Sequence, residues 1–185
     1  MYLNEFLLVA LVHLLAVMSP GPDFAVVIRN SVGAGRQAGL MTACGVGCGI
    51  LVHVTYSLLG IGLIVSQSAW LFNLLKLAAA GYLFYLGIRA LGSKPQALGA
   101  ELAERPALTM RKAFTNGFIT NGLNPKATLF FLSLFTLVIS PHTPVGVQAL
   151  YGLYLAVATA GWFCLVALLF SHRRVRQGFS RLGHW

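Results

Sequence analysis

Charged residues, and acidic ones above all, are scarce in this 185-residue sequence. Asp and Glu together number 4, and all charged residues make up 9 % of the chain. A soluble domain carries roughly 25 % charged residues, so this chain has too few to cover itself with a polar surface. Hydrophobic residues make up 57 %, and the mean hydropathy is +0.78. The composition excludes an ordinary soluble domain and indicates an integral membrane protein.

Cysteine is also rare: the 3 residues Cys44, Cys48 and Cys164 all lie in apolar stretches. A buried Cys in such surroundings behaves as a small hydrophobe, and the spacing does not suggest a disulfide framework. The sequence contains no C-x-x-C motif and no ATP-binding motif. We therefore expect a protein that is not an enzyme, holds no cofactor or metal, and uses a gradient for any active transport.

Long apolar runs are abundant, and about 20 residues suffice to cross a ~30 Å hydrocarbon core as a helix. We expect the first run to be retained and not to be a signal peptide, because Met1–Glu5 has no Lys or Arg and no small-residue cleavage site follows the run. We predict one all-α transmembrane domain over residues 1–185. Its five helices are expected at roughly 5–30, 39–66, 69–91, 112–139 and 146–171.

The 13 Lys and Arg residues are unevenly distributed. They cluster between runs one and two, between runs three and four, and after run five, whereas the segments 66–70 and 140–146 contain none. Because positive residues accumulate on the cytoplasmic side, we predict a cytoplasmic (inner) membrane protein with its N-terminus outside and the C-terminus of this chain inside. The basic residues at 173–181 suit contact with anionic lipid headgroups. No basic stripe with interleaved aromatics occurs, which excludes nucleic acid as a partner.

Proline interrupts two of the apolar runs, and each interruption carries one charge. The breaks are Met18-Ser-Pro-Gly-Pro-Asp-Phe24 and Gly122-Leu-Asn-Pro-Lys-Ala127. Proline removes a backbone donor, and an unpaired backbone group in hydrocarbon costs several kcal/mol, so a broken helix persists only where protein or a watered cavity meets it. Broken helices at matching places in two halves point to a transporter's substrate site. The predicted substrate-binding residues are Pro22, Asp23, Asn121, Asn124, Pro125 and Lys126.

The two breaks lie in halves that correspond to each other. Superposing Pro22 on Pro125 places the two charged residues on one another, and a dense apolar stretch follows each. Three crossings separate the starts of the halves, so the second half runs oppositely through the membrane, as in inverted-repeat transporters. We predict a front half-repeat at 1–92 with three helices and a back half-repeat at 108–185 with two.

Asp23 and Lys126 suit the two charges of an amino-acid zwitterion, because charges within a membrane are costly and usually functional. Lys126 lies about 20 Å from each end of its run at 1.5 Å per residue, too far to reach the interface easily. Structural roles stay open for both residues. Asp23 can cap the restarting helix, or it can form a purely structural pair with Lys126. Asn124 can serve as a turn residue before Pro125.

Glycine and histidine add further candidates within the apolar runs. Gly45-x-x-x-Gly49 lets another helix approach closely, and without a βαβ unit it is not part of a dinucleotide motif. Gly21, Gly45 and Gly49 are expected to shape the cavity. His53 is a candidate for proton coupling together with the acid of the first break, since the pKa of histidine is about 6.5 when unperturbed. For His53, as for His13, a hydrogen-bonded core residue is the commoner role of a lone histidine in an apolar helix, and proton coupling is the functional alternative.

Four segments carry a resemblance to a known family. On these segments, and from Phe6 to Trp185 as a whole, the chain resembles the LysE/RhtB amino-acid exporters, most of all their threonine/homoserine branch. The resemblance implies a LysE-like helical bundle with inverted half-repeats, five helices here and the sixth of the family pattern absent. It also implies export of an amino acid in antiport with protons, and leaves a homo-oligomer open. The segments are Ser19-Pro-Gly-Pro-Asp23, Gly35-Arg-Gln-Ala-Gly39 leading to Gly45-Val-Gly-Cys-Gly49, Lys76-Leu-Ala-Ala-Ala-Gly-Tyr-Leu-Phe-Tyr-Leu-Gly87, and Asn121-Gly-Leu-Asn-Pro-Lys-Ala127.

Two functions compete with amino-acid export, which is the leading hypothesis. A membrane redox protein would use Cys44 and Cys48 as a thiol pair, or His13 and His53 as haem ligands. Two Cys at i and i+4 of a helix are poorly placed for a disulfide, which weighs against the thiol pair. A membrane scaffold without transport would gain nothing obvious from costly buried charge.

Overall fold

A computed structural model describes residues 2–67 and 108–172, together with scattered positions between 70 and 88. Every regular element in the two long ranges is helical, which confirms the predicted all-α membrane fold. A π-helical turn, Leu134–Val138, follows α5. The helices are α1 Tyr2–Met18, α2 Pro22–Ala34, α3 Arg36–Gln67, α4 Met110–Gly122, α5 Pro125–Ser133 and α6 Val145–Phe170.

Some predicted features fall outside the described residues. These are most of the third apolar run at 69–91 with Lys76, the loop that divides the two half-repeats, and the basic segment at 173–181. The half-repeat boundaries at 92 and 108 therefore stay predictions.

The predicted runs correspond closely to the described helices. The second and fifth runs are α3 and α6, the two helices in the described part of the chain that are long and apolar enough to span a membrane singly. The first run is the pair α1–α2, bent by 58° at its break, and this pair counts as a third span if taken as one. The fourth run is divided into α4 and α5, with Pro125–Val138 as its shorter apolar part. Together with the family resemblance, these spans make the chain a multi-pass membrane protein.

Proline determines where the two short helices α2 and α5 begin. Pro22 and Pro125 each occupy the first turn, where the missing backbone N–H would lack a partner anyway and the fixed φ suits a helix. The cap of α5 is Asn124, whose side-chain oxygen accepts a hydrogen bond from the Lys126 N–H at 3.0 Å. The cap of α2 is Gly21, in extended backbone and without a side-chain bond.

Helix α3 lies at the centre of the bundle and packs most extensively against α4 and α6. One buried apolar cluster is centred on Ile50, Phe131 and Leu155, and a second, on the far side of the break in α1–α2, on Val27 and Phe163. The large residues exposed along α1, such as Leu7, Leu11 and Leu15, suit contact with lipid tails. The core therefore holds the two broken segments against α3 and α6.

Glycines allow α3 and α4 to approach until their backbones touch. A Cβ atom on Gly45 would overlap the Phe114 carbonyl, and one on Gly117 would overlap the Thr42 carbonyl. Small residues at a helix crossing commonly permit such contact in membranes. The residue pair Gly45 and Gly117 thus sets how closely the central helix approaches the second broken segment.

Replacing Gly45 by alanine is expected to destabilise the protein, because the added methyl group meets backbone rather than a flexible side chain. Overpacking of this kind costs about 1–3 kcal/mol, occasionally more. Gly60→Ala on the same helix is the matched control, since no atom of the described residues lies within 4 Å of its Cβ position. An alanine in place of a mid-helix glycine ordinarily stabilises by roughly 0.5–1 kcal/mol. Thermal unfolding in detergent measures both; a Gly45→Ala protein as stable as Gly60→Ala would contradict the close contact.

Polar contacts at one end of the bundle join α1 to the loop before α6. The Glu5 carboxylate accepts hydrogen bonds from the Ser140 N–H at 3.0 Å and the Thr143 hydroxyl at 2.9 Å. At another surface site Arg36 lies beside Ser171 and His172, just after α6. The N-terminus and the loop at 140–143 therefore share one end, as the charge pattern predicts. Which end faces the cytoplasm stays a prediction.

Candidate functional site

The break between α1 and α2 is occupied by the lysine of the other break. The Lys126 ammonium donates hydrogen bonds to the carbonyl oxygens of Ser19 and Pro20, at 2.9 Å and 3.4 Å. These carbonyls belong to the segment where the helix is interrupted, so they have no regular helical partner. A half-buried cation from the second half of the chain thus satisfies backbone groups freed in the first half.

At Asp23 the roles are reversed: residues at the second break bind the charged group of the first break. Its Oδ2 atom accepts hydrogen bonds from the side-chain amides of Asn121 at 3.1 Å and Asn124 at 3.0 Å. Both asparagines flank the interruption between α4 and α5. The carboxylate of the first break is therefore bound by side chains at the second break. In the same way, the ammonium of the second break is bound by carbonyls of the first.

The two oxygens of the Asp23 carboxylate differ in their hydrogen bonding. Oδ1 is buried and has no hydrogen-bond partner in the part of the chain that the structure describes. The same holds for the side-chain oxygen of Asn121. Buried polar atoms nearly always have a partner, so these two unpaired acceptors call for a donor that the described residues do not supply. A cationic group with several N–H donors fits this pair best.

Asp23 and Lys126 line one cleft, which encloses about 480 Å³ of space not filled by atoms, part of it open to the outside. The two charges and the two asparagines form its polar side, and aromatic rings form much of the remainder. All six helices contribute to the walls. The lining residues are His13, Ala16, Val17, Ser19, Gly21, Asp23, Phe24, Ile50, Asn121, Asn124, Lys126, Ala127, Phe130, Phe131, Thr159 and Phe163.

His53 lies behind the cleft wall. One ring nitrogen shares a hydrogen bond with the backbone carbonyl of Asn121 at 2.9 Å, the other with the Tyr56 hydroxyl at 2.6 Å. The ring also stacks on Phe131, with the two planes at 13°. His53 is fully buried and holds Asn121 from the back while that residue's amide reaches Asp23. With both nitrogens engaged by protein, His53 is not arranged as a haem ligand.

The three predicted cavity glycines occupy different places. A Cβ on Gly49 would lie 2.7 Å from the Asn121 side-chain oxygen, so the bare backbone makes room for that asparagine. Gly21 lines the cleft, and a Cβ there would lie 3.5 Å from the Lys126 ammonium. Gly45 lies at the α3–α4 contact and not on the cleft.

Five of the sequence-predicted site residues meet around the cleft: Gly21, Asp23, Asn121, Asn124 and Lys126. Pro22 and Pro125 begin the helices that position them but do not line it. The alternative role of Asp23 as a helix cap is wrong, since Gly21 is the cap and Asp23 is the second residue of α2. Asn124 combines both of its expected roles, as cap of α5 and as donor to Asp23.

Two cleft residues were not predicted as part of the site. His13 is expected from the sequence chiefly as a core residue, and Thr159 carries no sequence signal beyond being a polar residue within an apolar run. Both are buried, they share a hydrogen bond of 2.9 Å, and they lie 146 residues apart in the chain. No local pattern reveals such a pair. The backbone carbonyl of Ser19, which meets Lys126, was likewise not singled out.

Comparison with known proteins places this chain in a family of translocators. The family described as "LysE type translocator" matches residues 14–183, a range that contains both breaks. The chain belongs to the LysE family. The threonine efflux protein of Escherichia coli (strain K12) is 36% identical over 184 residues, which cover 97% of this chain and 88% of that relative. This LysE-family relative confirms the resemblance to the threonine branch that the sequence motifs carry.

Other relatives extend the comparison. The threonine efflux protein of Salmonella typhi is 35% identical over 97% of this chain and 88% of its own length. The leucine efflux protein of Salmonella choleraesuis (strain SC-B67) is 35% identical over 134 residues, 70% of this chain and 62% of that protein. No solved structure matches the chain. The LysE family is thus represented by relatives named for two substrates, one with a hydroxyl side chain and one without.

Proposed function

We propose that this chain exports threonine- or homoserine-like amino acids across the cytoplasmic membrane. The observation that carries the proposal is the unpaired Asp23 oxygen in a cleft that also contains Lys126. Opposite charges in one cleft match the two ends of a zwitterion. The relatives named as threonine and leucine efflux proteins support the same substrate class.

The substrate's ammonium group binds at the Asp23 Oδ1 and Asn121 Oδ1 atoms. Both are acceptors without a partner among the described residues, and an ammonium brings three donors. A hydrogen bond to a charged group contributes about 1.5–3 kcal/mol, more than a neutral one. Holding the ammonium here leaves the two asparagine amides on Oδ2 undisturbed. The anionic site is therefore ready before the substrate arrives.

The substrate's carboxylate binds at Lys126. The lysine ammonium currently satisfies the carbonyls of Ser19 and Pro20, and a carboxylate is a stronger acceptor than a neutral carbonyl. The first turns of α2 and α5 also lie at the breaks, and the positive ends of helix dipoles favour an anion. When the carboxylate competes for Lys126, the contact between the two breaks loosens. This exchange links substrate binding to movement of one half against the other, as alternating access requires.

Proton coupling is placed on Asp23 in this proposal. A carboxylate in a cleft can bind a proton when no substrate ammonium is present and release that proton when the ammonium binds. The proton and the substrate's ammonium therefore compete for the same carboxylate. His53 is the second candidate, since it contacts the Asn121 backbone while the amide of that residue reaches Asp23. The result is antiport, with protons entering as the amino acid leaves.

Reconstituting the full chain into liposomes preloaded with radiolabelled amino acids tests this function. We expect threonine to leave faster than from protein-free liposomes, and faster still when the outside is made acidic. Efflux no faster than the protein-free rate for threonine, homoserine, valine and leucine alike would rule out export. Efflux that is present but unaffected by the pH gradient would remove proton coupling and leave export intact.

A further inference from the structure

The cleft contains a polar pair that the two charged groups do not explain. His13 on α1 and Thr159 on α6 share a hydrogen bond of 2.9 Å, and both line the cleft. The two residues are 4 % and 2 % exposed, so both polar groups are buried within the bundle. The His13 ring also lies beside Phe130, with ring centroids 6.3 Å apart, so aromatic surface surrounds the pair. The pair thus adds polar groups to a part of the cleft wall that is lined by aromatic and aliphatic side chains.

The pair retains unused hydrogen-bonding capacity, and both of its residues line the cleft. The second ring nitrogen of His13, Nδ1, has no hydrogen-bond partner among the residues that the structure describes. The Thr159 hydroxyl keeps a second lone pair whichever histidine tautomer is present. A ligand hydroxyl can donate to one of these groups and accept from the other. An isolated methyl group can do neither.

The position of the pair suits the side chain of a bound amino acid. His13 lies on α1, six residues before Ser19, which directly follows the end of that helix; at 1.5 Å per residue the separation is about 9 Å along the axis. The Ser19 carbonyl marks where Lys126 lies and where the substrate's carboxylate is proposed to bind. Since all four residues line one cleft, an amino acid bound near Asp23 and Lys126 can place its side chain against His13 and Thr159.

We infer that His13 and Thr159 form a subsite that recognises a hydroxyl group on the substrate side chain, and so select threonine over its isostere valine. This inference rests on the proposed export function and deepens it. Threonine and valine have the same shape, so packing alone cannot separate them. A site whose buried polar groups are left unpaired by the wrong substrate discriminates strongly, whereas a purely apolar pocket does not reject an added hydroxyl.

Competition between threonine and valine in proteoliposomes tests the subsite. The unmodified chain is expected to export threonine over valine by at least about tenfold. Thr159→Val keeps the shape of residue 159 and removes its hydroxyl, and we expect the threonine-to-valine ratio to fall at least about fivefold. His13→Leu is expected to lower the ratio similarly. Thr159→Ser retains the hydroxyl and is expected to keep the preference.

Thr136→Val is the matched control for this experiment. Thr136 is also a buried threonine, but its hydroxyl bonds the Leu132 carbonyl within its own helical segment and it does not line the cleft. An unchanged ratio in Thr159→Val and His13→Leu, or equal export of both substrates by the unmodified chain, would overturn the subsite while export itself stands. Export of neither substrate by the unmodified chain would instead overturn the proposed function.

Discussion

Asp23→Asn is expected to abolish efflux while leaving the fold intact. Asparagine has the shape of aspartate and retains one oxygen, which can still accept both amide hydrogen bonds from Asn121 and Asn124. The other oxygen, now without a partner among the described residues, becomes an amide NH₂ group directed at the substrate's ammonium. Losing the charge-assisted bond and gaining a repulsive donor removes about 3 kcal/mol or more, a loss of about 100-fold or more in efflux.

Glu5→Gln is the matched control for this change. It makes the same carboxylate-to-amide replacement on the first broken segment, but at the bundle end where Glu5 bonds Ser140 and Thr143. That variant is expected to transport. Equal membrane levels of both variants, measured by immunoblot, and normal thermal unfolding of Asp23→Asn would attribute the loss to the charge. Normal efflux by Asp23→Asn would exclude the Asp23 carboxylate from substrate binding.

Lys126→Met is expected to have an effect of similar size with a different signature. Methionine retains the apolar stem, but the carbonyls of Ser19 and Pro20 lose their cationic donor. The substrate's carboxylate loses its partner as well, and removing one side of a buried charge pair costs about 2–5 kcal/mol. Efflux should therefore fall about 30-fold or more. Unlike Asp23→Asn, this variant should also unfold at a lower temperature, because the freed carbonyls lie at a break in α1–α2.

Lys112→Met serves as the control for the lysine variant. Lys112 lies at the exposed start of α4 in the same half of the chain, and its side chain does not line the cleft. Adding threonine should raise the unfolding temperature of the unmodified protein and of Lys112→Met, but not that of Lys126→Met. A threonine-dependent shift that survives in Lys126→Met would show that Lys126 joins the two halves without binding substrate.

Much of the site could be predicted because its signals are local. Pro22 and Pro125 mark where helices restart, and the charge beside each proline is conspicuous in an apolar run. Asn121 and Asn124 were found for the same reason, being polar residues next to a break. The partner of each group was not predictable. The sequence predicts that Lys126 binds substrate or pairs with Asp23, and the structure places its ammonium on the carbonyls of Ser19 and Pro20.

The contact between His13 and Thr159 could not be predicted from local sequence. The sequence around a single histidine in an apolar helix is the same whether that histidine lies in a core or lines a cleft. Only the crossing of α1 and α6 brings it within 2.9 Å of a threonine far along the chain. Gly49 is similar: the sequence marks it as a place for close approach, and the structure identifies the Asn121 side chain as the neighbour.

The sequence by itself determined that the chain lies in a membrane, where α3 and α6 extend, and where two spans are interrupted. Hydropathy and proline act on the nearest few residues, so they can be read along one dimension. Only the tertiary structure decided that the charged side chain of each break is hydrogen-bonded by groups of the other break, and that one buried oxygen of Asp23 has no partner among the described residues. Those outcomes depend on how closely and at what rotation helices pack. Backbone contacts at Gly45 and Gly117 set that geometry, and no property of a single segment encodes it.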